Sequence, residues 1–454
     1  MEAKKKVPLL NKVAYGIGTG GGNIFSQIAA AFLLQYYTDT ALIGAGAVAT
    51  MFLVCRVFDG ISDLVMGAVV DKTRTKWGKA RPWLMLSGPL SLIGIYLLMN
   101  VPLGMSEGGK LVYACATYIF MAVIVYTIYG IANTALLPLM SRDHGETTML
   151  ATFSAVGNNL IGLIAGASIT PLVLNLGWQK ASLILGLVAC AMILFSAFLN
   201  KETATENDDM TRPSVPMKEQ LPAVLKNRYF WLLLLIGTFS LLMNANAIGA
   251  QIYFCNLVIG NPMFMSTLMT AGQLPGLIIL FAMPYISKRW SKQTFLLIGA
   301  VFLIIGFAIT GIAGSNTTLI VVGTVIRSLG AGPLLSAVFA LVPDVVEYGN
   351  WKFGIRSEGL ISSAQSIGSK IGIGLGSALT GWILAGVGYS GAPDAPVTDA
   401  IVSAVRFDYT WLGAIFGVVI LVMSGGARPS LFSILSSLFS LLFSLFFFQI
   451  WKNK

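Results

Sequence analysis

Apolar runs of about 20 residues, each long enough to cross a bilayer as a helix, recur along the chain between shorter polar stretches. They predict twelve membrane spans, near 13–38, 43–68, 83–101, 112–138, 149–174, 181–199, 229–257, 264–284, 293–313, 318–341, 357–387 and 407–423. One interruption differs from the others. From Lys201 to Arg228 the sequence KETATENDDMTRPSVPMKEQLPAVLKNR is polar, contains prolines and shows no apolar periodicity, the marks of a linker. It divides the spans six and six. The expected organisation is an N-terminal six-helix half over 1–200, a cytoplasmic linker over 201–228 and a C-terminal six-helix half over 229–424. The fold class expected is therefore all-α and integral to the membrane.

The final stretch, 425–454, breaks the pattern. SLFSILSSLFSLLFSLFFFQIW is built almost wholly from Ser, Leu and Phe and is long enough to span, but a thirteenth span would carry Lys452 and Lys454 outside. An interfacial helix, or a frameshifted or appended end, fits better, and no function is assigned to it. At the other end, the first apolar run is broken by glycines and has no small-residue cleavage site, so it is expected to remain as a span.

Composition excludes a soluble domain: the 454 residues are 56% hydrophobic and 11% charged, against about 25% charged in soluble proteins. The net charge of +10 does not mark a nucleic-acid binder, because its distribution has a different logic. Of the 29 Lys and Arg, 20 fall in the N-terminus and in every second loop, whereas the opposite loops hold only Lys110, Lys180 and Arg406. By the positive-inside rule this places the N-terminus and the linker in the cytoplasm, as in a plasma membrane and, for a bacterium, the inner membrane. Cys55, Cys115, Cys190 and Cys255 all lie in spans without CxxC spacing, and His144, in a loop, is the only histidine. Neither a disulfide nor a histidine-based metal site is indicated, and no cofactor is expected.

Against this background the polar residues within spans stand out. Span 2 contains RVFDGISD, with Asp59 and Asp63 four residues apart. On a helix they share one face, with Cβ atoms roughly 5–6 Å apart. Of the 19 acids these are the only two expected at membrane depth, where a charge costs at least about 2.5–3.5 kcal/mol. Two carboxylates on one face repel, so a cation or a shared proton must join them. The alternative is that Arg56 and a second basic group neutralise them as packing.

The glycines at 16, 18, 20, 21 and 22 in span 1 predict either close helix packing, the commoner reason, or a broken helix that exposes Asn23 and Gln27 to a cavity. In span 4, Thr127 can offer a hydroxyl toward span 2, and Tyr126, Tyr129 and Asn133 are candidate cavity-liners, although packing is the more ordinary role for the tyrosines. Asn244, Asn246, Gln251, Asn256 and Gln273 read first as interhelical bonds and second as solute-facing groups. Arg327 in span 10 requires a partner that the sequence does not identify. Lys370 in span 11 has no acid within two turns, and Asp59 and Asp63 are its expected counter-charges.

The loop after span 2 joins Gly67 and Asp71 to a cluster containing Arg74, Lys79 and Arg81. This resembles the loop signature between spans 2 and 3 of the major facilitator superfamily, whose two six-span halves rock about a central site. The loop PDVVEYGNWKFGIRSEGL, with Asp344, Glu347 and Arg356, reads either as an ion-pair gate between halves or as a solvated loop. Taken together, YGIG, YYTD, RVFDGISD, DKTRTKWGKARPW, DVVEYGNWKFGIRSEG and Lys370 resemble the glycoside–pentoside–hexuronide cation symporters of that superfamily, over roughly 10–423.

The resemblance implies that Asp59, Asp63 and Thr127 form a cation site, with Ser62 where the melibiose carrier has an asparagine ligand, and that the coupling ion is sodium or a proton. It places Lys370 between the cation and sugar sites and keeps the amide at Gln365. The solute side departs from the melibiose carrier at Asn23, Gly130, Thr134, Ser154 and Leu335, where acids, aromatics and an arginine are missing. The expected solute is a glycoside or related sugar, held by Asn23, Tyr126, Asn133, Gln365 and Lys370, with a preference different from melibiose. The expected partners are that small molecule and the lipid bilayer. Competing readings are a membrane enzyme, opposed by the absence of HExxH, GxSxG and Walker motifs, and a non-transporting sensor or lipid carrier on the same scaffold.

Overall fold

Side-chain caps mark where many of the helices begin. Ser106, Asp143, Asn227, Ser291, Asn316 and Thr398 each accept a backbone N–H from the following turn, satisfying donors that have no partner within the helix. The computed structural model describes residues 6–141, 143–202, 217–286 and 289–425; the tail beyond 425, most of the linker and Arg142 lie outside the described residues. Among the described residues the secondary structure is helical, apart from an isolated bridge between Thr75 and Gly78.

The chain divides into two compact units. The first comprises Met1–Met210 with the short pieces Pro262–Thr270 and Gly388–Pro396. Its helices are α1 (Leu9–Gln27), α2 (Ala45–Lys72), α3 (Arg81–Leu98), α4 (Glu107–Tyr118), α5 (Tyr126–Met140) and α6 (His144–Leu199). Helix α6 holds two predicted spans; Gly177, with φ 77°, breaks it between them, a conformation that costs glycine little.

The glycines of α1 resolve the alternative left open by the sequence. Helix α1 is continuous, and a Cβ at Gly16 or Gly20 would run into Phe153 or Ile161 of α6. They serve close packing. Beyond α1, π-helical turns at Ile28–Phe32 and Tyr36–Thr40 end the first span. There Asp39 accepts a hydrogen bond from Tyr389 at 2.9 Å, and Gly391 (φ 69°) lies so close to the Thr38 carbonyl that a side chain would collide.

The second unit contains α7 (Met217–Leu225), α8 (Arg228–Tyr253), most of α9 (Phe264–Ile286), α10 (Lys292–Ile312), α11 (Thr317–Ala340), α12 (Val342–Phe353), α13 (Glu358–Gly386), α14 (Asp399–Arg406) and α15 (Leu412–Gly425). Its core includes Phe230, Leu233, Leu303, Phe307 and Trp411. Helices α10 and α11 meet backbone to backbone at Gly299 with Gly330 and at Gly306 with Gly323.

By length and apolarity, 8 helical runs among the described residues can cross a membrane. The difference from twelve has physical causes. The run Gly145–Leu199 holds two passes. The second, third and eighth predicted spans are the other three. They correspond to α2, 28 residues long and so about 42 Å, to α3, which opens on Arg81 and has Pro89 inside it, and to α9, whose apolar part is the shorter stretch Phe264–Ile279.

Candidate cation and solute sites

Helix α2 sets Asp59, Ser62 and Asp63 on one face through their i, i+3, i+4 spacing, and the first turn of α5 brings Thr127 against them. The Thr127 hydroxyl lies 3.3 Å from Asp59 Oδ1, 3.2 Å from Asp63 Oδ1 and 3.0 Å from Ser62 Oγ. Ser62 Oγ also donates to the Asp59 carbonyl at 3.0 Å. Arg56 Nη1 stands 3.5 Å from Asp59 Oδ2. Asp59 and Thr127 are buried, at 7% and 4% exposure, and Ser62 and Asp63 are half-buried. One hydroxyl hydrogen cannot serve three oxygens at once, so the cluster has more acceptors than Thr127 can satisfy. Carboxylate and hydroxyl oxygens are the donors a hard cation takes, and the carboxylates equally accept a proton. No group of three or more His, Cys, Asp or Glu residues that could hold a metal ion occurs among the described residues.

The solute candidates of the first unit sit in a polar network centred on Thr19. Asn133 Nδ2 donates to Thr19 Oγ1 at 3.2 Å, Ser154 Oγ donates to the same oxygen at 3.0 Å, and Tyr15 donates to the Asn133 carbonyl at 2.8 Å. Asn23 donates to the Asn158 carbonyl at 2.7 Å, while Tyr126 shares a 2.8 Å hydrogen bond with Ser26 and packs at a tilt against Phe25. Asn133 Oδ1 is buried without a partner. Sequence reasoning missed Thr19 and Ser26, although with Asn23 they follow an i, i+4, i+7 spacing along one face of α1.

In the second unit Gln365 and Lys370 lie on α13. Gln365 is 5% exposed, and its Nε2 has no hydrogen-bond partner. It lines a cavity of about 530 Å³ with Glu358, Ser362, Ser366 and Ser369. Lys370 is half-buried one turn further along.

The loop residues are placed as follows. Arg74 donates to the Asp71 carbonyl at 2.6 Å. Glu202 accepts the backbone N–H groups of Lys79, Ala80 and Arg81 at 2.7–3.0 Å, and Arg81 Nε donates to the Ala197 carbonyl at 3.0 Å. Asp344 pairs with Lys292 at 2.7 Å, Arg356 with Glu358 at 3.4 Å, and Glu347 is exposed on α12.

Two expectations change. Asp59 and Asp63 are not the only acids buried in apolar runs: Asp408, at the edge of the last run, is 2% exposed and accepts from Asn246 Nδ2 at 2.8 Å. An acid at the start of an apolar run reads as a loop residue, and the π-helical turn that draws it inward leaves no sequence signal. Arg327 is answered by aromatic faces, its guanidinium lying 4.8 Å from the Phe307 ring centre and 5.3 Å from that of Tyr409. Ring quadrupoles attract a cation as carboxylates do, and nothing in the sequence around Arg327 shows which rings a fold will bring to it.

Comparison with known proteins gives a consistent result. A family model described as MFS/sugar transport protein matches residues 14–424. An isoprimeverose transporter of Lactiplantibacillus pentosus is 30% identical over 422 residues, 90% of this chain and 86% of the relative. A glucuronide carrier protein homolog of Escherichia coli (strain K12) is 28% identical over 386 residues, 83% of each chain. Among solved structures, a nucleoside transporter superposes with a TM-score of 0.63 at 12% identity, covering 92% of this chain and 99% of its own; that likeness speaks to the fold.

Proposed function

The chain belongs to the MFS/sugar transport family, and from that premise we propose a division of labour among its polar clusters. It is a multi-pass secondary transporter that couples a cation to a sugar, and not an enzyme. In the finer reading, Asp59, Ser62, Asp63 and Thr127 bind the coupling ion, sodium or a proton. Asn23, Tyr126, Asn133, Gln365 and Lys370 hold a glycoside. Asp71, Arg74, Lys79, Arg81, Asp344, Glu347 and Arg356 form the cytoplasmic gating loops. The halves are 1–200 and 229–424, and the protein sits in a bacterial inner membrane with its N-terminus in the cytoplasm.

The observation that carries the ion site is the approach of Thr127 to within 3.0–3.3 Å of three oxygens on α2. Arg56 stands beside Asp59, and the coupling ion or proton binds at the oxygens of Asp63 and its neighbours. Lys370 is the charge that tunes this binding from the solute side. Coupling follows when ion and solute favour the same state of the carrier, so that each raises the affinity for the other.

The test is uptake of a labelled glycoside panel into vesicles under an imposed sodium or pH gradient. Wild type is expected to accumulate a solute under one of the gradients, and Asp63→Asn to equilibrate it without accumulation. Full uphill transport by Asp63→Asn would remove the ion site from α2.

A further inference from the structure

The ion and solute reading leaves one buried acid without a task. Asp408 lies on the π-helical turn Phe407–Trp411 between α14 and α15. Its carboxyl accepts from Asn246 Nδ2 at 2.8 Å, and the same amide nitrogen donates to the Thr380 hydroxyl oxygen at 3.1 Å. Asn246 on α8 and Thr380 on α13 are each 1% exposed. The triad is therefore closed to solvent and assembled from three separate helical elements.

No cation answers Asp408 among the described residues. Arg406, two positions earlier, forms no ion pair with it, and Arg327 of α11 is committed to the rings of Phe307 and Tyr409. Helix α15 has no ionisable side chain, and on α10 the only one is Lys292, which pairs with Asp344. On α13, Lys370 stands ten residues from Thr380, about 15 Å along the helix. Asp399 is at the far end of α14, and the remaining titratable neighbours, Tyr253, Cys255 and Tyr409, carry no positive charge. One amide donor does not replace a counter-ion, and a buried unpaired carboxylate is among the costliest groups a protein can hold. The burden is relieved when the carboxylate binds a proton and becomes a neutral acid.

A neutral acid needs an acceptor for its hydrogen, and one is present. Asn246 Oδ1 is buried with no hydrogen-bond partner, and turning the amide over exchanges its oxygen and nitrogen in place. In one arrangement the Asn246 amide donates to the carboxylate; in the other the carboxylic acid donates to the amide oxygen.

We propose that Asp408, with Asn246 and Thr380, is a proton-binding site of the second half, separate from the ion site on α2. The proton binds one carboxylate oxygen and leaves again as the carboxylate reforms, with Asn246 turning to match each form. This stands independently of which ion Asp63 carries. It makes the carrier sensitive to pH even when sodium drives accumulation.

The test is infrared difference spectroscopy on the full chain in lipid nanodiscs, with carboxyl-labelled aspartate and stepwise changes of pH as the probe. A protonated carboxyl band that titrates is expected in wild type, is lost in Asp408→Asn and is kept in Asp63→Asn. Thr380→Val, which spares the acid, is expected to shift that band, and this variant decides the matter where Asp408→Asn does not insert. Unchanged protonated-carboxyl bands in Asp408→Asn, or an unshifted band in Thr380→Val, would overturn the proposal. Failure of the Asp63→Asn transport test leaves this readout untouched, so the two readings fall separately.

Discussion

Asp59 and Asp63 share a helix face but not an environment. Asp59 has Arg56 at 3.5 Å, whereas the Thr127 hydroxyl lies within 3.3 Å of both acids. Replacing that hydroxyl by a methyl group keeps the volume and removes an oxygen from the cluster. Thr127→Val is expected to weaken the ion dependence of uptake about tenfold, or about 1.4 kcal/mol, with Thr127→Ser close to wild type. Ion-concentration series at fixed solute check this; equal ion dependence in all three would remove Thr127 from the site. The i, i+4 pair was legible because acids are rare in apolar runs; Thr127 was legible as a hydroxyl offered toward span 2, and the family resemblance made it part of a cation site. Thr19 was not legible: its hydroxyl also donates to its own helix at the Tyr15 carbonyl, so it reads as an ordinary helical threonine. Asp408 was hidden by its position at the edge of a run.

At the scale of elements, apolar run length predicted the helices well and their contacts poorly. The glycines of α1 announced either packing or a break; the choice depends on α6, which presents Phe153, Gly157 and Ile161 to them. Gly20→Leu is therefore expected to drive α1 from α6 and reduce the yield of folded protein severalfold. Gly67→Ala on α2, where a Cβ meets nothing within 4 Å, is expected to keep or slightly raise the melting temperature, since alanine is the better helix former by roughly 0.5–1 kcal/mol. Thermal melts of both variants in detergent are the check, and a stable Gly20→Leu would refute the packing account. The π-helical turns were invisible to periodicity, because one extra residue per turn leaves an apolar run apolar. Two of them nonetheless carry buried or half-buried acids, Asp39 and Asp408.

For the molecule as a whole, the polar stretch from Lys201 to Arg228 suggested where the chain divides, but no local pattern could reveal that Gly388–Pro396 packs with the first unit. That segment is held by Tyr389, whose phenol burial pushes its proton affinity up, and by the close seat of Gly391. Tyr389→Phe removes one hydrogen bond, a net loss of about 1 kcal/mol, and so a roughly fivefold shift toward a state with the segment released. Labelling of Leu42→Cys, at an exposed neighbouring position, by a membrane-impermeant thiol reagent is expected to accelerate in that background. An unchanged rate would show that the bond does not hold the segment.

The Gln365 amide has a consequence of its own. Its buried Nε2 lacks a partner, and an unmet donor of this kind costs about 1–3 kcal/mol. If a solute oxygen meets it as proposed, the penalty is borne only by the unloaded carrier. A sugar without an oxygen at that point leaves the donor unmet and binds correspondingly less well, so this one amide discriminates among otherwise similar solutes.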